Sequence, residues 1–204
     1  GDRNSYLRNA PVDAALDFEN LANEFFLADR VTAFDAVSGE GSLLWRRHMR
    51  RVRHAFNQTT APYAPSEGDE FPPGEYPADI SLAFSIMPVS PRTVRIRFAP
   101  RSACAKDEGS LMLVRDPERD RSWTVSDDGS TVQWKSDAGT VRLMREPWRI
   151  EFYSPDGRFL TATHAKADGK ALQNTDPLPF QFAGRASDGR RTFGAAFSLS
   201  PDEK

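Results

Sequence analysis

The chain has 204 residues, 39% of them hydrophobic and 27% charged, with 27 basic and 29 acidic side chains giving a formal net charge of −2. That length suits one large domain with a real core, or two small ones, and the near-balanced charge excludes a general binder of polyanions. The lone cysteine, Cys104, excludes an intrachain disulfide and any multi-cysteine zinc site.

No window approaches the apolar run that crosses a membrane as a helix, so no membrane partner is expected. No stretch combines the basic start and apolar core of a signal peptide. The expected localisation is cytoplasmic rather than secreted, with Gly1 leaving room for a leader removed upstream.

Residues 1–10 are polar and expected to fray. From Val12 to Arg30, Leu16, Leu21, Ala22, Phe25 and Phe26 fall at helical spacing behind an N-cap candidate, Asp13. The spacing predicts a short helix near the N-terminus, although Phe25-Phe26-Leu27 is equally able to open a strand. The period then changes to two. Val31–Ala36 and Ser42–Trp45 flank Ser38-Gly39-Glu40-Gly41, a hairpin signal.

Charge is unevenly spread. Arg46, Arg47, Arg50, Arg51 and Arg53 crowd together with His48 and His54 on what reads as a strand reaching Phe56. No Lys or Arg then occurs until Arg92, while Glu67, Asp69, Glu70, Glu75 and Asp79 fall in that gap. Five prolines (Pro62, Pro65, Pro72, Pro73 and Pro77) make 58–79 a long loop without regular pairing. A loop of that length is often functional or tied to a neighbouring domain.

Strands resume at Ile80–Met87 and Thr93–Phe98, where Val94, Ile96 and Phe98 face inward against Arg95 and Arg97. Leu111–Val114, Ser122–Ser126, Thr131–Lys135 and Val141–Met144 follow, with Asp128-Gly129 and Ala138-Gly139 as turns. Trp148, Ile150 and Phe152 alternate with Arg149, Glu151 and Tyr153 ahead of a Ser154-Pro155-Asp156-Gly157 turn and a returning strand at Arg158–Thr161. The last strands are Pro179–Ala183 and Arg191–Leu199. Trp148, Ile150 and Phe152 are expected to point into the core, with Phe193 and Phe197 on the same apolar layer. Many short strands joined by Asp-Gly turns predict an all-β, antiparallel β-sandwich.

The chemical candidates are weak. Single carboxylates mean little among 29, and Asp127-Asp128 reads as a hairpin turn rather than a metal site. His48, His54 and His164 have no metal-ligand spacing, so no metal is expected. A G-x-S-x-G elbow and a Gly-rich phosphate loop are both missing from the sequence, so neither serine catalysis nor a phosphate-bound cofactor is indicated. The arginine run is read as a strand whose cations pair with the acidic gap, not as a nucleic-acid patch; its third reading is a docking face for another domain. Tyr63, Phe71 and Tyr76 in the Pro-rich loop are the candidate carbohydrate or interdomain contacts.

Wording adds to pattern. The sequence Pro147-Trp148-Arg149-Ile150-Glu151-Phe152-Tyr153, the Asp-Gly turn, Arg158-Phe159-Leu160-Thr161 and the closing Phe197–Lys204 resemble the N-terminal β-sandwich domain of glycoside hydrolase family 31, the α-glucosidase and α-xylosidase family. So do Asp17-Phe18, Asn23, Phe25–Asp29, Trp45-Arg46-Arg47-His48, Phe71–Tyr76 and Ser90–Arg95, so that the resemblance covers most of residues 10–204. It implies a galactose-mutarotase-like sandwich placed before a catalytic (β/α)₈ barrel, and a parent that cleaves α-glycosidic bonds with retention, through an aspartate nucleophile and without a cofactor.

The family's nucleophile segment, W-x-D-M-N-E-like, has no match here, and a barrel needs about 250 residues. No catalytic residue is therefore carried over. The resemblance implies that 1–204 is a single non-catalytic N-terminal domain, inactive alone. Its partners would be the parent's barrel and, through the parent, carbohydrate, with no nucleic acid. In the family the Ser-Pro-Asp-Glu-Lys stretch is followed by a Y-G-x-G-E segment, just beyond Lys204. The alternative is a free-standing carbohydrate-binding β-sandwich module; a small mutarotase-like epimerase would need a His and a carboxylate converging on a sugar, of which the three histidines give no sign.

Overall fold

The structure is a computed structural model and describes residues 16–18, 20, 22–50, 63–65, 79–98, 117–164 and 179–197. Among these residues the secondary structure is β throughout, apart from one 3₁₀ turn at Leu16–Phe18. The strands are β1 (Glu24–Asp35), β2 (Glu40–Arg50), β3 (Tyr63–Pro65), β4 (Ile80–Ser90), β5 (Thr93–Phe98) and β6 (Thr124–Asp127). They continue as β7 (Thr131–Ser136), β8 (Gly139–Met144), β9 (Arg149–Tyr153), β10 (Phe159–Ala162), β11 (Gln181–Gly184) and β12 (Arg191–Gly194).

One sheet has the order β12-β11-β1-β2-β4-β5, with β3 added beside β2; the other is an uninterrupted meander, β10-β9-β8-β7-β6. The meander follows from the sequence directly. Short alternating strands are joined by tight turns, Gly129, Gly139 and Gly157 marking three of the four, and antiparallel neighbours need only a tight connection. The expected antiparallel β-sandwich is the observed fold.

The chain divides into two compact units. The first is Gly1–Ala28, Trp45–Ile80 and His164–Ala196. Its core has Phe18, Phe25, Leu27 and Ala183 as one buried cluster. Phe26 stacks on Phe182 with centroids 4.6 Å apart, and Trp45 meets Phe182 and Phe193 edge-on at 5.0 and 5.7 Å. A polar tie closes this unit. The Asp17 carboxylate accepts from Arg185 Nε (2.8 Å) and from the Thr192 hydroxyl, while Asn23 Nδ2 donates to the Asp17 carbonyl (2.9 Å). The Thr192 hydrogen bond, followed by the Arg185 bond, holds the Asp17 carboxyl below the ordinary carboxylate range.

The second unit is Asp29–Leu44, Ser81–Thr163 and Phe197–Lys204. Here the inward residues of two layers meet. Phe34 of β1 stacks on Phe84 of β4 (5.4 Å) and presents itself edge-on to Trp134 of β7 (5.8 Å), and Phe98 of β5 meets Trp148 edge-on at 5.8 Å. Val132, Trp134, Val141, Leu143, Trp148 and Ile150 are all buried. Two backbone bonds fasten β1 to the turn before β9: Val31 N–H to the Arg145 carbonyl (2.8 Å) and Trp148 N–H to the Asp29 carbonyl (2.7 Å).

Several expectations are corrected. The helix predicted over Val12–Arg30 gives way to β1 from Glu24 onward, with residues 12–15 outside the described set. Phe25, Phe26, Leu27 and Ala28 are buried in succession, so both strand faces are covered and the alternation that marks a strand is lost. The Pro-rich stretch is not wholly unpaired. Tyr63–Pro65 runs antiparallel to β2, with His48 opposite Pro65 and Arg50 opposite Tyr63; a strand with one neighbour tolerates proline because its N–H side need not be satisfied by a second strand.

The expected apolar layer also divides. Trp148 and Ile150 are buried, but Phe152 is half-buried and Phe197 is 47% exposed. β12 ends at Gly194 rather than Leu199, so Phe193 packs on Trp45 while Phe197, beyond the strand, faces Phe152 at 6.4 Å. The expected strand at Leu111–Val114 lies outside the described residues.

Candidate functional site

The aromatic trio comes first. Tyr63 begins β3, opposite Arg50; Phe71 and Tyr76 lie outside the described residues, as do Arg51, Arg53 and His54. What the structure does bring together is the arginine run and the acid-only segment after it. The Asp79 carboxylate accepts the Arg47 backbone N–H (2.9 Å), and β3 pairs with the far end of β2. Arg46 is exposed, whereas Arg47 and His48 are buried on adjacent positions of β2, with His48 Nδ1 hydrogen-bonded to the Arg46 carbonyl (2.8 Å). This end of β2 thus lies beside the two described parts of the segment that follows it, Tyr63–Pro65 and Asp79.

The Asp127-Asp128 pair is a turn. Asp128 Oδ1 accepts from the Ser130 N–H and hydroxyl (2.9 and 2.8 Å) and from the Thr131 N–H (2.6 Å). Those bonds, the Thr131 N–H foremost, hold its carboxyl below the usual range. Asp127 reaches Arg145 at 2.6 Å. Among the described residues no group of His, Cys, Asp and Glu could hold a metal ion, and no helix is long and apolar enough to cross a membrane.

A constellation that the sequence reading did not single out stands on the outer face of β7–β9. Alternation sends Trp134, Val141 and Ile150 inward, and Gln133, Arg142, Glu151 and Tyr153 outward. Register sets Gln133 opposite Arg142 and Arg142 opposite Glu151. Opposite charges in such a position are the default cross-strand ion pair, yet Arg142 and Glu151 do not pair. Glu151 accepts the Tyr153 hydroxyl (2.7 Å) and lies 3.2 Å from Arg149 Nε.

Arg142 instead donates from Nε to Gln133 Oε1 (2.9 Å) and sets its guanidinium over the Tyr153 ring, 4.8 Å from the centroid. Tyr153 in turn meets Phe159 edge-on at 5.8 Å. Burial, then the Glu151 carboxylate beside it, pushes the Tyr153 phenol above its ordinary pKa. The alternation of Arg149-Ile150-Glu151-Phe152-Tyr153 was visible in the sequence; the cross-strand register that aligns it with Arg142 and Gln133 was not.

Residues 83–204 match the model of the glycosyl hydrolase 31 N-terminal galactose mutarotase-like domain. No curated protein matches the chain. Similar solved structures include two of uncharacterized protein lmo2446 from Listeria monocytogenes EGD-e. The one in complex with alpha-D-glucose, beta-D-glucose, magnesium and calcium shares 14% identity at a TM-score of 0.43, over 79% of this chain and 11% of that chain. The other shares 16% identity at a TM-score of 0.40 with the same coverage. This chain therefore spans 11% of the length of those proteins.

Proposed function

Because the chain belongs to the family of glycosyl hydrolase 31 N-terminal galactose mutarotase-like domains, we propose that it is the non-catalytic N-terminal β-sandwich of a retaining α-glycosidase. In that parent it packs against a catalytic (β/α)₈ barrel and helps shape the path of carbohydrate to the active site. The observation that carries this reading is the family match over 83–204, which runs from within β4 through the meander to β12.

Retention requires two carboxyl groups about 5 Å apart, one as nucleophile and one as acid and then base. In the parent both belong to the barrel, the nucleophile being an aspartate, and no cofactor takes part. The role of the present chain is to hold loops in place. The Pro-rich segment, anchored to β2 by Asp79 and β3, is suited to this, and Tyr63, Phe71 and Tyr76 are the proposed contacts to carbohydrate or to the barrel.

The test is hydrolysis by the purified chain. With p-nitrophenyl α-glucoside and α-xyloside it should release no nitrophenol above the blank. Turnover that co-purifies with the protein, and vanishes when one of its own carboxylates is replaced, would make this domain an enzyme and end the reading.

A further inference from the structure

We propose that the outer face of β7–β9 is a binding site for a sugar carboxylate, a uronic acid residue of a glycan, with Arg142 as the bidentate donor. A guanidinium is a strong carboxylate ligand when it is exposed and its orientation is fixed in advance. Arg142 meets both conditions. Its Nε is held by Gln133 Oε1 at 2.9 Å and its plane rests on Tyr153 at 4.8 Å, so little further freedom is lost on binding. The side chain is exposed, and besides Gln133 its other hydrogen-bonding neighbour among the described residues is the Tyr153 hydroxyl.

The carboxylate that register places opposite Arg142 is diverted. Glu151 takes the Tyr153 hydroxyl at 2.7 Å and sits 3.2 Å from Arg149, leaving the Arg142 charge without a counter-ion among the described residues. Lys135 reinforces it. Lys135 lies opposite Thr140, two residues from Arg142 on the same face, and is therefore its diagonal neighbour across the strand pair. Lys135 is exposed and takes no ion-pair partner among the described residues. The outward positions of β7–β9 thus carry three cations, Lys135, Arg142 and Arg149, against the single carboxylate of Glu151. Beside them the half-buried Tyr153–Phe159 pair supplies an apolar shelf on a sheet face where water-facing residues are the rule. That the carboxylate is carried by a sugar rests on the proposed carbohydrate-related function; the arginine site itself rests on geometry alone.

The experiment is calorimetric titration of the purified chain with trigalacturonate, with maltotriose as the neutral sugar and glutarate as the carboxylate without a sugar. Trigalacturonate is expected to bind, more weakly as salt is raised. Maltotriose is expected not to bind, and glutarate to bind at least tenfold more weakly than trigalacturonate. Arg142→Lys keeps the charge but loses the fork, and should weaken trigalacturonate at least tenfold; Lys135→Gln should weaken it about threefold, each loss being checked against an unchanged circular dichroism spectrum. No binding of trigalacturonate, or binding indifferent to both substitutions, overturns the site while leaving the family-based function standing. Glutarate binding as tightly as trigalacturonate overturns the sugar as its ligand. Maltotriose binding as tightly as trigalacturonate overturns the carboxylate as the recognised group.

Discussion

Replacing Trp134 by Ala should destabilise the protein by about 3–5 kcal/mol, the range for removing a large aromatic side chain from a packed core. Trp134 is 1% exposed and takes the ring of Phe34 at 5.8 Å with an interplanar angle of 88°. Edge-to-face pairs contribute beyond their buried area, so the loss includes the pair as well as the cavity. The residue stands where the two layers of the second unit meet, and neither neighbour can close the gap without moving a strand. Equilibrium denaturation in urea measures the change. The half-buried Phe152, whose ring partner among the described aromatics is the exposed Phe197, should cost less than Trp134 when cut back to Ala. A loss below about 1 kcal/mol at Trp134, the range of ordinary surface changes, would contradict the packing described.

Gly39→Ala should cost at least about 2 kcal/mol, from two sources that can be separated. At φ +71° the residue is left-handed, which costs an L-residue roughly 1–2 kcal/mol. A Cβ at that position would also fall inside contact distance of the Ile86 carbonyl oxygen. The backbone cannot simply withdraw, because the Gly39 carbonyl accepts the Ile86 N–H at 2.8 Å and the Gly39 N–H donates to the Asp35 carbonyl at 2.7 Å. The Arg119 guanidinium further pins the turn through the Val37 and Ser38 carbonyls. Gly129 is the control: its φ is +87°, but an added Cβ would meet nothing within 4 Å. Gly129→Ala should therefore show the conformational term alone. Equal losses at the two glycines would remove the close approach of β4 to the β1–β2 turn from this account.

The parts of the fold that were legible in the sequence are those governed by local pattern. The meander β6–β10 was readable because each strand buries one face, so apolar and polar residues alternate, and because Asp-Gly and Ala-Gly steps mark its turns. β1 was misread for the opposite reason: four consecutive buried residues carry no period of two, and two pairs of aromatic and aliphatic residues happened to match helical spacing. β3 was hidden by Pro65, since the rule against proline in a sheet applies to strands with two neighbours.

Contacts of long sequence separation could not be read at all. Nothing near Asp17 points to Arg185 and Thr192, and nothing near Arg142 shows that Glu151 will turn to Tyr153. Charge asymmetry between adjacent segments suggested that the arginine run and the acidic segment lie close, but the contact described, Asp79 on the Arg47 backbone N–H, is one that any residue at that position would make. The buried state of Arg47 and His48 was not legible, because burial depends on packing by residues distant in sequence.

The central claim is that this sandwich is the first part of a larger glycosidase. An antibody raised against the chain, used on the organism that makes it, measures this most directly through the mass of the native polypeptide. The account predicts a band heavier than 22.8 kDa by at least the mass of a (β/α)₈ barrel of about 250 residues, with α-glycosidase activity in the same immunoprecipitate. A native polypeptide of 22.8 kDa and no larger species would contradict it, and would leave a free-standing module in its place.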